Sequence, residues 1–270
     1  MSVAHYENFP VASWLAPPAI RPAIVSIYEF ARNADDIADE GNDPAATRLA
    51  RLDAYSFELD RIAKGEMPND PLFARLTAAI RRHDLPLDAF RALLSAFRQD
   101  VVKPRYRDFT DLADYCARSA NPIGRLLLHL YEISGSEPFR QADSICTGLQ
   151  LANFWQDIAV DWGKGRVYLP QNDMARFGVS EAHIAAGRCD ERWERLVGFE
   201  VDRARGMLES GRPLAQALPL RLKLELRMVI AGGLRILAAI DHVRGDVFRH
   251  RPILRRRDWS AMAVSALFNA

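Results

Sequence analysis

Residues 30–40 read FARNADDIADE, which places Asp35, Asp36, Asp39 and Glu40 at the end of an apolar, helix-like stretch. On a helix Asp35 and Asp39 are four apart and Asp36 and Asp39 three apart, so their carboxylates share one face. Acids at a helix C-terminus also oppose the macrodipole. Arg32, three and four residues upstream, offsets only part of that repulsion. An arrangement so costly points to a bound cation, although a solvated helix end with Arg32 as local partner has the same spacing. A second cluster lies in LQLANFWQDIAVDWGKGRVYLP, residues 149–170. Asn153, Asp157 and Asp161 recur every four residues and line one face of one predicted helix. Gln150 extends that face by a turn. Leu151, Ala152, Phe154, Trp155, Ile158, Ala159 and Val160 are apolar. A polar stripe on such a helix faces an interior cavity or a partner. A buried hydrogen-bonded network is the alternative, and its carboxylates would need buried partners.

Taken together, the clusters suit a hard divalent cation. Mg2+ takes oxygen ligands, keeps several waters, and usually binds one or two carboxylates plus substrate phosphates. Two facing acidic helices would hold Mg2+ against a diphosphate, with Lys164 and Arg166 on its remaining oxygens. A diphosphate neutralised in this way is a good leaving group.

The elements that must position these groups are helical. Ile20, Ile24, Ile27, Tyr28 and Ala31 follow the i, i+3, i+4 rule, as do Phe90, Leu93, Leu94 and Phe97. Leu222, Leu226, Val229, Ile230, Leu234 and Leu237 form a long stripe. Asn42-Asp-Pro, Leu85-Pro, Gly135-Ser-Glu-Pro and Leu218-Pro punctuate the chain. Only 165–170, GRVYLP, looks extended. Gly232-Gly233 sits inside a helical run and reads as close helix packing. With 270 residues, 49% hydrophobic, the chain reads as one all-α domain, 1–270, of roughly eight to ten helices. A net charge of +1 gives no reason to expect nucleic acid. Cys116, Cys146 and Cys189 lack metal-ligand spacing and read as reduced structural cysteines. The histidines show no ligand spacing either. No signal peptide or spanning segment is evident, so the expected compartment is the cytoplasm.

At this point the motifs carry a resemblance. DDIADE at 35–40 and NFWQDIAVD at 153–161, followed by GKGRVYLP, resemble the two aspartate-rich motifs of the squalene and phytoene synthases. YCARSANPIGRLLLHLYE at 115–132 resembles the Tyr-Cys helix lining that family's cavity. HYENFPVAS at 5–13 and the NFWQD wording look most like the hydroxysqualene synthases of bacterial hopanoid pathways. There are departures. Val160 stands where many members carry an acid. Glu7-Asn8-Phe9 replaces a Ser-Arg-Ser-type segment. Ser119-Ala120-Asn121-Pro122 replaces Val-Ala-Gly, and Pro122 is expected to kink that helix.

The resemblance implies an all-α isoprenoid synthase fold around a central cavity. It implies Mg2+, with Mn2+ as a substitute, on Asp35, Asp36, Asp39, Asp157 and Asp161. Arg32, Lys164 and Arg166 would contact the diphosphate, and Tyr168, Phe30 and Phe154 the substrate; Tyr28 and Trp155 are further aromatic candidates. Tyr115 would steer the cation, and Asn153, Asn121 and Gln150 would position a quenching water. Gln99-Asp100 is read as a supporting contact or a helix cap. The implied reaction converts presqualene diphosphate to hydroxysqualene without NADPH, functionally coupled to a presqualene diphosphate synthase and a hydroxysqualene oxidoreductase. Rivals are a condensing synthase making presqualene diphosphate, dehydrosqualene or phytoene, and a non-catalytic helical assembly subunit. Arg249 to Arg257, followed by WSAMAVSALF, reads either as a solvated basic cluster or as a peripheral contact with the inner face of the membrane.

Overall fold

The computed structural model describes residues 16–254. The HYENFPVAS segment with Glu7, Asn8 and Phe9, the cluster Arg255, Arg256 and Arg257, and WSAMAVSALF lie outside the described residues.

Twelve α-helices and one 3₁₀ turn make up the described chain: α1 (Arg21–Asp39), α2 (Ala45–Ala63), α3 (Pro71–His83), α4 (Leu87–Val102), α5 (Phe109–Ser119), α6 (Asn121–Leu130), α7 (Ser136–Gln156), α8 (Ile158–Gly163), α9 (Gln171–Arg176), α10 (Glu181–Ala185), α11 (Glu191–Gly211), the turn Arg212–Ala217, and α12 (Leu220–His242). The count exceeds the eight to ten expected from periodicity. The surplus comes from α8, α9 and α10, each five or six residues long and too short to show a period. It also comes from a break rather than a kink at Pro122, which occupies the first turn of α6 and leaves Ala120 between two helices.

Local chemistry sets the boundaries. Asp70 caps α3 by accepting from the Leu72 amide at 2.8 Å, with Pro71 following in the first turn. Asp108 and Asp190 cap α5 and α11 in the same way. No strand is present among the described residues. The extended stretch at 165–170 forms a single parallel bridge, Arg105 to Val167, in which the Val167 amide donates to the Pro104 carbonyl at 2.9 Å.

Two apolar cores result. One is built from α1 to α4 with Leu126 and Leu130, around Phe30. The other is built on α7, α11 and α12, around Trp155, Trp193 and Leu208. Glycines let these long helices approach closely. A Cβ at Gly233 would sit 2.8 Å from Leu149 and 3.0 Å from Leu208, which bears out the packing expectation at Gly233. The cores meet around a cavity of about 920 Å³ lined by residues of both.

Candidate active site

The C-terminal half of α1 brings Tyr28, Arg32, Asp35, Asp36 and Asp39 to the cavity. They face it because Phe30, Ala34, Ile37 and Ala38 fill the core on the other side of the helix. Arg32 pairs with Asp36 at 2.8 Å and lies 3.7 Å from Asp35. From the other side come Gln150, Asn153, Phe154, Asp157 and Asp161. The single helix expected to carry them is divided: Asp157 stands between α7 and α8, with φ −107° and ψ 14°. The Asp161 amide still donates to the Asp157 carbonyl at 2.8 Å, so the i, i+4 relation survives the division and all three polar residues line the cavity.

Immediately after α8 the chain turns through Gly165, whose φ of +79° lies in the left-handed region that glycine tolerates. The turn directs Lys164 and Arg166 back toward α1. Arg166 meets Asp39 at 2.6 Å and Lys164 meets it at 3.5 Å. Arg105 braces the turn, donating to the Gly165 carbonyl at 2.5 Å and to Glu181 at 2.5 Å. The tail of the second acidic motif therefore grips the first.

Electrostatics follow from this crowding. Among the described residues lining the cavity, eight are acids and four are Lys or Arg. Burial would raise the Asp39 carboxyl, but the hydrogen bond and charge of Arg166, with Lys164, hold it below the usual carboxylate range. Asp35 has weaker compensation: burial and then the charge of Asp39 push it up to about 7. Asp161, which has no ion pair among the described residues, is pushed up to about 7 by burial and then by Asp157. An all-oxygen donor set with surplus negative charge and protonatable, underpaired acids fits a hard divalent cation. Among the described residues no three acids converge as a ligand group for one ion, so each ion would take few carboxylates and complete its shell with water and phosphate oxygens.

Several contributors escaped sequence reasoning. Arg251 reaches into the cavity and donates to Asp157 at 2.5 and 3.2 Å. Its segment is fastened there because Gln156 Nε2 donates to the Pro252 carbonyl at 2.5 Å and Leu254 is buried. One member of the basic stretch is thus part of the cavity wall. Asp100, left between two readings by its sequence context, is buried in the wall and accepts from the Tyr115 hydroxyl at 2.6 Å and from Tyr168 at 3.3 Å. Burial pushes it up to about 7 against those hydrogen bonds. Tyr168 in turn stacks on Phe154 with centroids 3.8 Å apart. Ser119 lines the cavity, and its buried Oγ has no hydrogen-bond partner among the described residues.

Three candidates are set apart from the cavity. Phe30 is fully buried in a cluster with Tyr55, Phe73 and Phe90, because its position on α1 turns it toward α2 to α4. Trp155 is core, donating to the Glu200 carbonyl at 3.1 Å. Asn121 is buried at the start of α6, where it accepts from Thr147 Oγ1 at 3.0 Å, and it does not reach the cavity. Tyr28, Tyr115, Gln150, Asn153, Phe154 and Tyr168 all line it.

A helical cavity that opposes two acidic helix ends is the arrangement of an isoprenoid synthase, and residues 3–259 match the squalene/phytoene synthase family, to which the chain belongs. It is 35% identical over 237 residues to hydroxysqualene synthase from Rhodopseudomonas palustris, covering 87% of this chain and 80% of that protein. It is 31% identical over 267 residues to 15-cis-phytoene synthase from Synechococcus elongatus, covering 93% and 85%. Its fold superposes on the crystal structure of a squalene synthase from Alicyclobacillus acidocaldarius with TM-score 0.82 and 40% identity, covering 89% of this chain and 90% of that one. A dehydrosqualene synthase at 20% identity and TM-score 0.83 shares the fold. The chain is therefore a member of a head-to-head isoprenoid synthase family whose enzymes act on prenyl diphosphates.

Proposed function

We propose that the chain is a hydroxysqualene synthase, which ionises presqualene diphosphate and quenches the rearranged cation with water. The observation that supports this reading is the division of labour within one cavity. Six of the eight lining acids lie at the end of α1 and about the α7–α8 junction together with the four cations, and the largely apolar wall elsewhere is interrupted by Ser119, Gln150 and Asn153. A buried hydroxyl without a partner is unfavourable by about 1–3 kcal/mol unless something in the cavity bonds to it. A water molecule poised for attack on a carbocation would do so.

Mg2+, when bound, supplies positive charge that stabilises the departing diphosphate. Asp35, Asp36 and Asp39 from α1, with Asp157 and Asp161 from the α7–α8 junction, would hold it. Arg32, Lys164 and Arg166 are the groups assigned to diphosphate oxygens, and Arg251 joins them. The substrate C–O bond breaks with its electron pair leaving on the diphosphate, and a cyclopropylcarbinyl cation remains. Tyr28, Tyr115, Phe154 and Tyr168 offer ring faces that favour positive charge without bonding to it. Asp100 fixes Tyr115 and Tyr168 by their hydroxyls. The cation rearranges, and the oxygen of a water held by Asn153, Gln150 and Ser119 bonds to carbon as a cyclopropane C–C bond opens and the ring is lost; the water's surplus proton passes to the released diphosphate. No hydride is delivered, so NADPH is not required. The reaction needs a condensing synthase to supply presqualene diphosphate and a reductase to consume the alcohol.

The test is a product assay with purified protein and Mg2+ but no NADPH. Presqualene diphosphate should give hydroxysqualene, and farnesyl diphosphate should give nothing. A cyclopropyl diphosphate or a C30 polyene from farnesyl diphosphate would instead make the chain a condensing synthase, the reading that its likeness to phytoene synthases keeps open.

A further inference from the structure

The first half of α12 has two apolar faces. Leu222, Leu226 and Val229 point into the cavity and form part of its apolar wall, joined by Leu214 and Leu218 from the preceding turn. Leu220, Leu224 and Met228 recur every four residues on another face, and none of them lines the cavity. Leu220 is 70% exposed, the highest value among the large hydrophobic side chains described, and Leu224 and Met228 are half-buried. A helix apolar on two sides is unusual where one side meets solvent. Throughout residues 221–229 no position is fully buried.

The charges around this face are also unusual for this chain. Most surface arginines here have a carboxylate partner: Arg51 with Asp43, Arg91 with Asp60, Arg125 with Asp143, and Arg244 with Glu194. Arg212, Arg221 and Lys223 make no side-chain hydrogen bond or ion pair among the described residues. Arg212 and Arg221 are exposed. The stretch from Arg212 to Arg227 carries four Lys or Arg against one acid, Glu225. Unpaired bases beside an exposed apolar helix face match an anionic bilayer, which offers negative headgroups above an apolar interior. A nucleic acid would use the bases but leave the leucines in water.

We infer that the turn Arg212–Ala217 and the first half of α12 form a docking surface for an anionic membrane. Seated there, the protein has one helix between the bilayer and the apolar end of its cavity. A polyisoprenyl chain then passes from lipid to cavity around α12 without crossing water. This rests on the proposed lipid diphosphate substrate for its purpose, but not for its measurement.

The full chain is pelleted with sucrose-loaded vesicles of phosphatidylcholine alone or mixed with phosphatidylglycerol, with no substrate present. Binding should appear only with phosphatidylglycerol. Combining Arg212→Gln, Arg221→Gln and Lys223→Gln should weaken partitioning on the order of a hundredfold, since each base near the surface contributes several-fold. Leu220→Gln with Leu224→Gln should weaken it as well, while Arg51→Gln, Arg91→Gln and Arg244→Gln together should leave it intact. Thermal melts verify that each variant is folded. Absence of pelleting, equal binding to neutral vesicles, or unchanged binding by the α12 variants would overturn the inference. So would loss of binding on substituting only Arg255, Arg256 and Arg257. A vesicle-independent dimer dissociated by Leu220→Gln with Leu224→Gln would also overturn it, making the face a contact between copies. The product assay in detergent micelles separates these outcomes from the catalytic reading: membrane binding can fail while hydroxysqualene is still formed.

Discussion

The acids at the end of α1 and those at the α7–α8 junction face one cavity but are balanced in different ways. On α1 the partner of Asp36 is Arg32, one turn away on the same helix. At the junction the partner of Asp157 is Arg251, 94 residues later. Asp39 is held from across the cavity by Lys164 and Arg166, which follow the second set in sequence. In each set one acid is left with little compensation, Asp35 in the first and Asp161 in the second. The comparison teaches that the two motifs are not independent. The cations that follow the second set hold Asp39 of the first, and each set keeps one carboxyl available for added positive charge.

That link can be broken from either side. Asp35→Asn and Asp157→Asn should each lower turnover of the prenyl diphosphate substrate by about 10³-fold with the melting temperature held, since charge complementarity is lost and packing is not. Full activity in either would remove that acid from the site. Arg166→Met should cost about 3 kcal/mol of stability, because Asp39 would lose its buried partner, and should lower turnover by about 10²-fold. Stability unchanged in urea titration would show that the two sets are not joined there. Arg251→Ala should reduce turnover roughly tenfold while shifting stability by less than about 1 kcal/mol, because its pair with Asp157 is partly exposed.

Titration sharpens the same comparison. Asp35 and Asp161 are raised in the folded protein from an ordinary 3.8 to about 7. Their contribution to stability is therefore full below that ordinary value and is lost as pH rises through 7. Mg2+ with diphosphate should offset the loss, so the thermal shift it produces should be larger at about pH 8 than at about pH 6. Calorimetry in buffers of different ionisation enthalpy should detect protons released on binding. A pH-independent shift would mean that neither acid takes part. The smallest effect is expected at Arg32, half-exposed beside its own helix neighbours: Arg32→Gln should alter stability by no more than about 0.5 kcal/mol.

Legibility in the sequence followed the range of the interactions. Asp35, Asp36 and Asp39, and Asn153, Asp157 and Asp161, were readable because helical spacing alone puts them on one side. The all-α class was readable from apolar periodicity. Arg251 was not, since nothing near it in sequence marks it as different from Arg249, which pairs with Asp246 only three residues away. Phe30 entered as an aromatic substrate contact implied by the resemblance, yet its phase on α1 sends it to the other core. Asn121 fails for a related reason: the break before α6 re-aims a residue that an unbroken helix would have carried elsewhere. Ser119 Oγ is legible only as an absence of partners, which no sequence displays.

Arg105 lies 5.8 Å over the ring of Trp162 while it braces the turn that carries Lys164 and Arg166. The other described tryptophans, Trp155 and Trp193, are fully buried with their indole N–H groups donating to backbone carbonyls. Trp162, two residues before Lys164 and under the Arg105 guanidinium, is placed to feel the turn move. The protein carries its own optical indicator: closure of Lys164 and Arg166 on a diphosphate should change intrinsic fluorescence, and Trp162→Phe should diminish that signal.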